Sequence, residues 1–158
     1  MRRLAVLAAG LTALAVALAA CGSTEEAAPV ACLEGSKTYL NALEAAPEPV
    51  RLPGGTRISD CLTKNQPGGE LATIGMAMLR TATELNSEAR AKPDGPAALR
   101  LGFLLGAVDR GAEDTHGIHA ELVRRLESAA KYSPGGRPLP RQLERAYENG
   151  LEAGKVLG

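Results

Sequence analysis

An all-α fold, a small bundle of four to five short helices with one disulfide, is what this sequence predicts. Three observations carry that expectation. Apolar residues recur at helical spacing in separate stretches, as in Leu71, Ile74, Met78, Ala82, Leu85 and Ala89. No stretch of useful length alternates apolar and polar residues as a half-buried strand would. Clusters of proline and glycine, such as Lys92-Pro93-Asp94-Gly95-Pro96 and Ser133-Pro134-Gly135-Gly136-Arg137-Pro138, cut the chain into lengths that suit short helices.

The chain opens with Arg2 and Arg3, continues as an apolar and small-residue run from Leu4 to Ala20, and ends that run in Leu18-Ala19-Ala20-Cys21. A charged start, an apolar middle and small residues at the end are the layout of an export signal. A retained transmembrane helix would need about 20 apolar residues and a basic cluster behind them, and this run is short and has none. The other alternative is an ordinary secretory signal cut at an alanine. Leu18 to Cys21 resembles the lipobox of bacterial lipoprotein signal peptides. That resemblance implies diacylglyceryl transfer to the Cys21 thiol, cleavage before it, and a palmitate-type acylated terminus on the extracytoplasmic face of a membrane or envelope. Two or three acyl chains, at ~0.8 kcal/mol per buried methylene, anchor stably where one is marginal. The resemblance covers this segment only. It divides the chain into a signal peptide (1–20), a lipidated start and flexible tether (21–31) and a single helical domain (32–158).

With Cys21 committed to lipid, Cys32 and Cys61 remain as an even pair in an oxidising compartment and are expected to bond to each other. Closing a loop of about 30 residues is worth ~3.5 kcal/mol in the chain-entropy account. A metal or redox role would call for closer spacing such as C-x-x-C, which is missing.

Gly22 to Ala31 is small and polar without periodicity, hence the tether, with a reach of roughly 15 to 20 Å. The first helix is expected from Leu33 or Ser36 to Ala46, on Tyr39, Leu40 and Leu43, with Pro47 ending it. An irregular stretch to Gly69 follows, rich in proline and Gly-Gly pairs, pinned by Cys61 and holding a helical turn near Ser59 to Lys64. The second helix is expected from Glu70 to Ala91, with Glu70, Thr73, Arg80, Glu84, Glu88 and Arg90 marking its polar face. The third starts from Asp94 as a cap with Pro96 in its first turn. It is apolar nearly all round and so should be the most buried, and Ala98, Gly102 and Gly106 leave a flat strip for another helix. The G-x-x-x-G within it invites a membrane reading, but about twelve apolar residues interrupted by Arg100 are too few to span.

Gly111 to Asp114 is expected to turn the chain into a fourth helix from Thr115 to Tyr132, on Ile118, Leu122, Leu126 and Ala129. The fifth runs from Pro140 to Leu157 on Leu143, Ala146, Tyr147, Gly150, Leu151 and Gly154. Each glycine costs about 1 kcal/mol relative to alanine, so this helix needs a partner, and Gly150 and Gly154 supply a flat strip for one. Arg141, Glu144, Arg145, Glu148 and Glu152 read as a solvated face.

Composition narrows the function. Loss of Arg2 and Arg3 from a chain with 18 basic and 18 acidic residues leaves a small acidic excess, which gives nucleic acid no electrostatic footing. Aromatic residues make up 3%, Tyr39, Phe103, Tyr132 and Tyr147 without tryptophan, too few for a stacking groove for sugars or bases.

His116 and His119 are expected on the first turns of the fourth helix, facing solvent, and with Glu113 or Asp114 are the candidates for zinc or copper. Met76 and Met78 could add thioethers for copper. No H-E-x-x-H accompanies them and Met78 belongs to an apolar stripe, so no metal and no cofactor are expected. Ser128-Ala-Ala-Lys131 matches S-x-x-K, but at a helix end and without the companion elements of penicillin-interacting enzymes. Asp60, Asp109 and Asp114 have no evident catalytic pairing. The expected function is therefore a lipid-anchored, non-enzymatic domain that binds a protein partner or organises an envelope assembly, with a small-ligand or metal-binding lipoprotein as the alternative.

Overall fold

The computed structural model describes residues 24–113, 115–136 and 140–158. Five α-helices are present among them, α1 (Ser36–Ala42), α2 (Gly68–Ala91), α3 (Ala97–Glu113), α4 (Ala120–Lys131) and α5 (Arg141–Leu157), with short 3-10 turns between and no strand. The fold is the all-α bundle the periodicity predicts. Cys21 and the leader lie outside the described residues.

The continuous apolar run of α3 makes it the core. Ala97, Ala98 and every residue from Leu101 to Val108 are buried, and side chains from α1, α2, α4 and α5 join the same hydrophobic cluster. The glycine strips of α3 and α5 meet, and each helix is the other's closest partner. A Cβ on Gly102 would run into the backbone at Tyr147 and Leu151, and one on Gly150 into the backbone at Leu99 and Phe103. One turn further along, a Cβ on Gly106 would meet the backbone at Leu151 and Lys155 and one on Gly154 the backbone at Phe103 and Ala107, so the contacts advance along both helices together and α3 and α5 run parallel, backbone against backbone.

The C-terminal end of α5 leaves carbonyls without intrahelical donors, and distant side chains supply them. Arg110 Nη1 donates to Lys155 O at 3.2 Å and to Val156 O, Arg51 Nη1 to Leu157 O at 3.4 Å, and Ser59 Oγ to Gly158 O at 2.8 Å. These bonds tie the last helix to α3 through Arg110 and to the irregular stretch through Arg51 and Ser59.

That stretch is pinned as expected. Cys32 and Cys61 form a fully buried disulfide with Cα atoms 5.6 Å apart. Tyr39 of α1 lies over it and donates its hydroxyl to Cys32 O at 2.8 Å, and burial raises the phenol's pKa. Val50, Leu52, Ile58 and Leu62 anchor the rest in the core, and the helical turn foreseen near Ser59 is a 3-10 turn over Ser59–Cys61.

α2 starts two residues earlier than expected, at Gly68, and three further boundaries differ. α1 ends at Ala42 and tightens into a 3-10 turn over Leu43–Ala45. α3 continues through Gly111, which acts as a close-approach residue and not as a breaker. A side chain there would strike the backbone of Ser59. α4 begins at Ala120 and not at Thr115, because His116 and Gly117 take positive φ angles of 53° and 86° and interrupt the helical path.

The flexible tether expected over 21–31 is docked from Glu26 on. Glu26 N donates to Asn65 O at 3.0 Å, Thr63 Oγ1 to Glu26 O, and Ala28 N to Glu70 Oε2 at 2.8 Å. Ala28 and Ala31 are buried, their small side chains fitting beside the start of α2. The chain therefore enters the fold at the N-terminal end of α2.

Candidate functional site

α2 and α4 also run parallel. Gly75 faces Leu122 near their N-terminal halves, and Asn86 meets the carbonyls of Ala129 and Tyr132 near their C-terminal ends. Asn86 is buried, and its Nδ2 donates to those two carbonyls at 3.0 and 2.9 Å, satisfying acceptors at the end of α4. Its remaining oxygen takes a bond from Arg90 Nε at 3.0 Å, while Arg90 Nη1 donates to Ser133 Oγ at 3.1 Å. The Arg90 guanidinium is thus held at two points. Its third nitrogen, Nη2, is buried and has no hydrogen-bond partner among the described residues.

This bracket closes one end of a groove of about 630 Å³ between the two helices. Arg90, Arg124 and Arg125 line it together with Ser87 and Ser128, and no carboxylate, imidazole or thiol is among its lining residues. Leu79, Ala129, Tyr132 and Pro134 supply apolar surface, and Tyr132 is 64% exposed. Arg124 is engaged by Glu121 in a two-pronged pair at 2.7 and 2.8 Å. Neither Arg90 nor Arg125 makes an ion pair among the described residues.

This site is not among the candidates the sequence offers. Arg90 falls on the polar face of its helix, and its relation to Arg125 arises only when α4 packs beside α2. The signal available was the Asn86/Arg90 spacing of four, which puts an amide and a guanidinium together at the end of α2.

The residues singled out for metal are not brought together as expected. His119 stands at the start of α4, fully buried, with Nε2 2.7 Å from Gln66 Oε1. Gln66 Nε2 in turn donates to Cys61 O at 3.0 Å, so the Gln66 oxygen is the acceptor and His119 carries its proton on Nε2. His119 Nδ1 is buried without a partner, and burial lowers the imidazole's pKa. His116, in its left-handed conformation, is exposed and not on a helix turn with His119. Asp114 lies outside the described residues. Met78 is in the core, Met76 is exposed, and no group of three or more His, Cys, Asp or Glu able to hold a metal occurs among the described residues.

The remaining candidates have ordinary partners. Asp60 pairs with Arg57 at 3.0 Å on the surface. Lys131 of the S-x-x-K match sits 4.0 Å from Glu127. Asp109 lies 3.5 Å from Lys155, and burial raises its carboxyl pKa against the lowering effect of that lysine. Tyr147 beside them is pushed up to about 12, by burial first and then by the charges of Asp109 and Glu127. Among the described residues no helix is long and apolar enough to cross a membrane.

No family model, no curated protein and no solved structure matches this chain.

Proposed function

We propose that the chain is a lipid-anchored, exported, non-enzymatic domain that binds a partner at the extracytoplasmic face of a membrane. The observation that carries this reading is the buried Cys32–Cys61 disulfide, a bond that persists in the oxidising compartment to which the leader points. Docking from Glu26 adds to it: only four residues of sequence separate Cys21 from the body. The domain then works close to its membrane, where an envelope protein is within reach. Binding is favoured over catalysis because the groove offers serine hydroxyls without an imidazole or carboxylate to activate them. Replacing Cys21 with Ser should move the protein from the membrane to the soluble fraction, and mild crosslinking of the anchored form should capture a partner. Unchanged fractionation of the variant would refute the anchor.

A second reading, a small-ligand envelope lipoprotein, is favoured by the size and lining of the α2/α4 groove. The metal form of that alternative has less support, since His119 is committed to Gln66 and His116 stands apart.

A further inference from the structure

We propose that the groove between α2 and α4 binds a small organic anion, a phosphate or carboxylate head on an apolar portion, with Arg90 and Arg125 holding the head and Leu79 and Tyr132 the remainder. This rests on the small-ligand reading and names the chemistry of that site. Three observations converge on it. The groove's volume of about 630 Å³ suits a small molecule. Its lining has three guanidiniums and no carboxylate, and one of the three, Arg124, is already neutralised by Glu121. Arg90 is fixed by the buried Asn86 and by Ser133, yet its Nη2 donor is buried and unsatisfied, a cost that an anionic acceptor would remove. A guanidinium held by two bonds is pre-organised to offer its one remaining nitrogen, Nη2, to a carboxylate or phosphate oxygen.

The bland account is that Arg90 is a strut between α2 and the end of α4. It explains the bonds to Asn86 and Ser133 but not Arg125, which adds a second guanidinium to the groove, feels Glu121 only at a distance and makes no ion pair among the described residues. The position of the groove also selects between sources of the anion. The chain enters at Glu70, and Arg90 lies twenty residues further along α2, about 30 Å at 1.5 Å per residue. With so short a link to the lipid, the groove belongs to the end of α2 remote from the anchor. A dissolved ligand fits that placement better than a headgroup of the host bilayer.

The test is calorimetric titration of the full anchored chain, held in neutral phosphatidylcholine nanodiscs, with phenyl phosphate, inorganic phosphate and the uncharged phenyl glucoside. Phenyl phosphate should bind more tightly than either control. Arg125→Gln should weaken it about tenfold while leaving the melting temperature unchanged, since one charge-assisted bond is lost and no internal contact is. Arg90→Gln should weaken it at least as much, but removes a strut as well, so the decisive variant is Arg125→Gln. Absence of phenyl phosphate binding, or binding indifferent to Arg125→Gln, overturns the proposal. So does Arg125-dependent attachment to phosphatidylglycerol vesicles without phenyl phosphate binding, which would reassign the groove to a lipid headgroup. None of these outcomes bears on the anchor, which is tested by fractionation.

Discussion

His119 Nε2 sits 2.7 Å from Gln66 Oε1, and this buried contact joins the connection between α3 and α4 to the loop that the disulfide pins. Gln66 passes the link on to Cys61 O. A neutral imidazole suits the site, because a second ring proton on Nδ1 would be buried without an acceptor.

Stability should therefore fall on mild acidification. The His119 pKa is lowered in the folded chain from an ordinary value of 6.5, so between the folded and unfolded values the unfolded chain binds more protons. The contribution is complete above pH 6.5 and is lost as pH drops through the folded value. Urea denaturation between pH 7.5 and 5 should show the midpoint decreasing, and His119→Gln should flatten that dependence. An equal slope in the variant would contradict the assignment.

Substituting Gly102 or Gly150 with alanine should destabilise the fold by about 3 kcal/mol, against the helix-propensity gain of about 1 kcal/mol that alanine brings elsewhere. The cause is contact with the facing backbone of the parallel α3/α5 pair. Gly69→Ala, at an open position in the first turn of α2, is the control and should be neutral or slightly stabilising. Thermal melting of the three variants checks the sign, and stabilisation by Gly102→Ala would show that the helices do not approach this closely.

The glycine strips show why much of this fold was legible beforehand. α2, α3 and α5 declare themselves through long apolar periodicity, and Gly102, Gly106, Gly150 and Gly154 announce a close helix pair, because glycine at a spacing of four has little other use inside a helix. What escaped depends on tertiary partners. Gly111 reads as a breaker until Ser59 is seen against it, and the start of α4 moves because His116 adopts a left-handed conformation that no local pattern signals. The tether reads as free until Glu26 and Ala28 find Asn65 and Glu70. Arg90 and Arg125 look like two solvated charges until helix packing sets them along one groove.

Removing the disulfide by a paired Cys32→Ser and Cys61→Ser change should cost about 3.5 kcal/mol of stability. The bond closes a sequence separation of 29 and holds in place, beyond α1, an irregular stretch whose regular structure is limited to 3-10 turns. Tyr39→Phe should cost about 1 kcal/mol, because it leaves the buried Cys32 carbonyl without its donor. Chemical denaturation of both variants against the parent gives the two numbers, and a parent insensitive to reductant at its melting midpoint would contradict the first.

The central claim, that this bundle is tethered by lipid outside the cytoplasm, is tested most directly by intact-mass analysis of native protein extracted from the membranes of the cell that makes it. The account predicts a chain beginning at Cys21 and carrying diacylglyceryl mass, with two further hydrogens missing for the bond between Cys32 and Cys61. A mass that retains residues 1–20, or a processed chain with an unmodified Cys21, would contradict it.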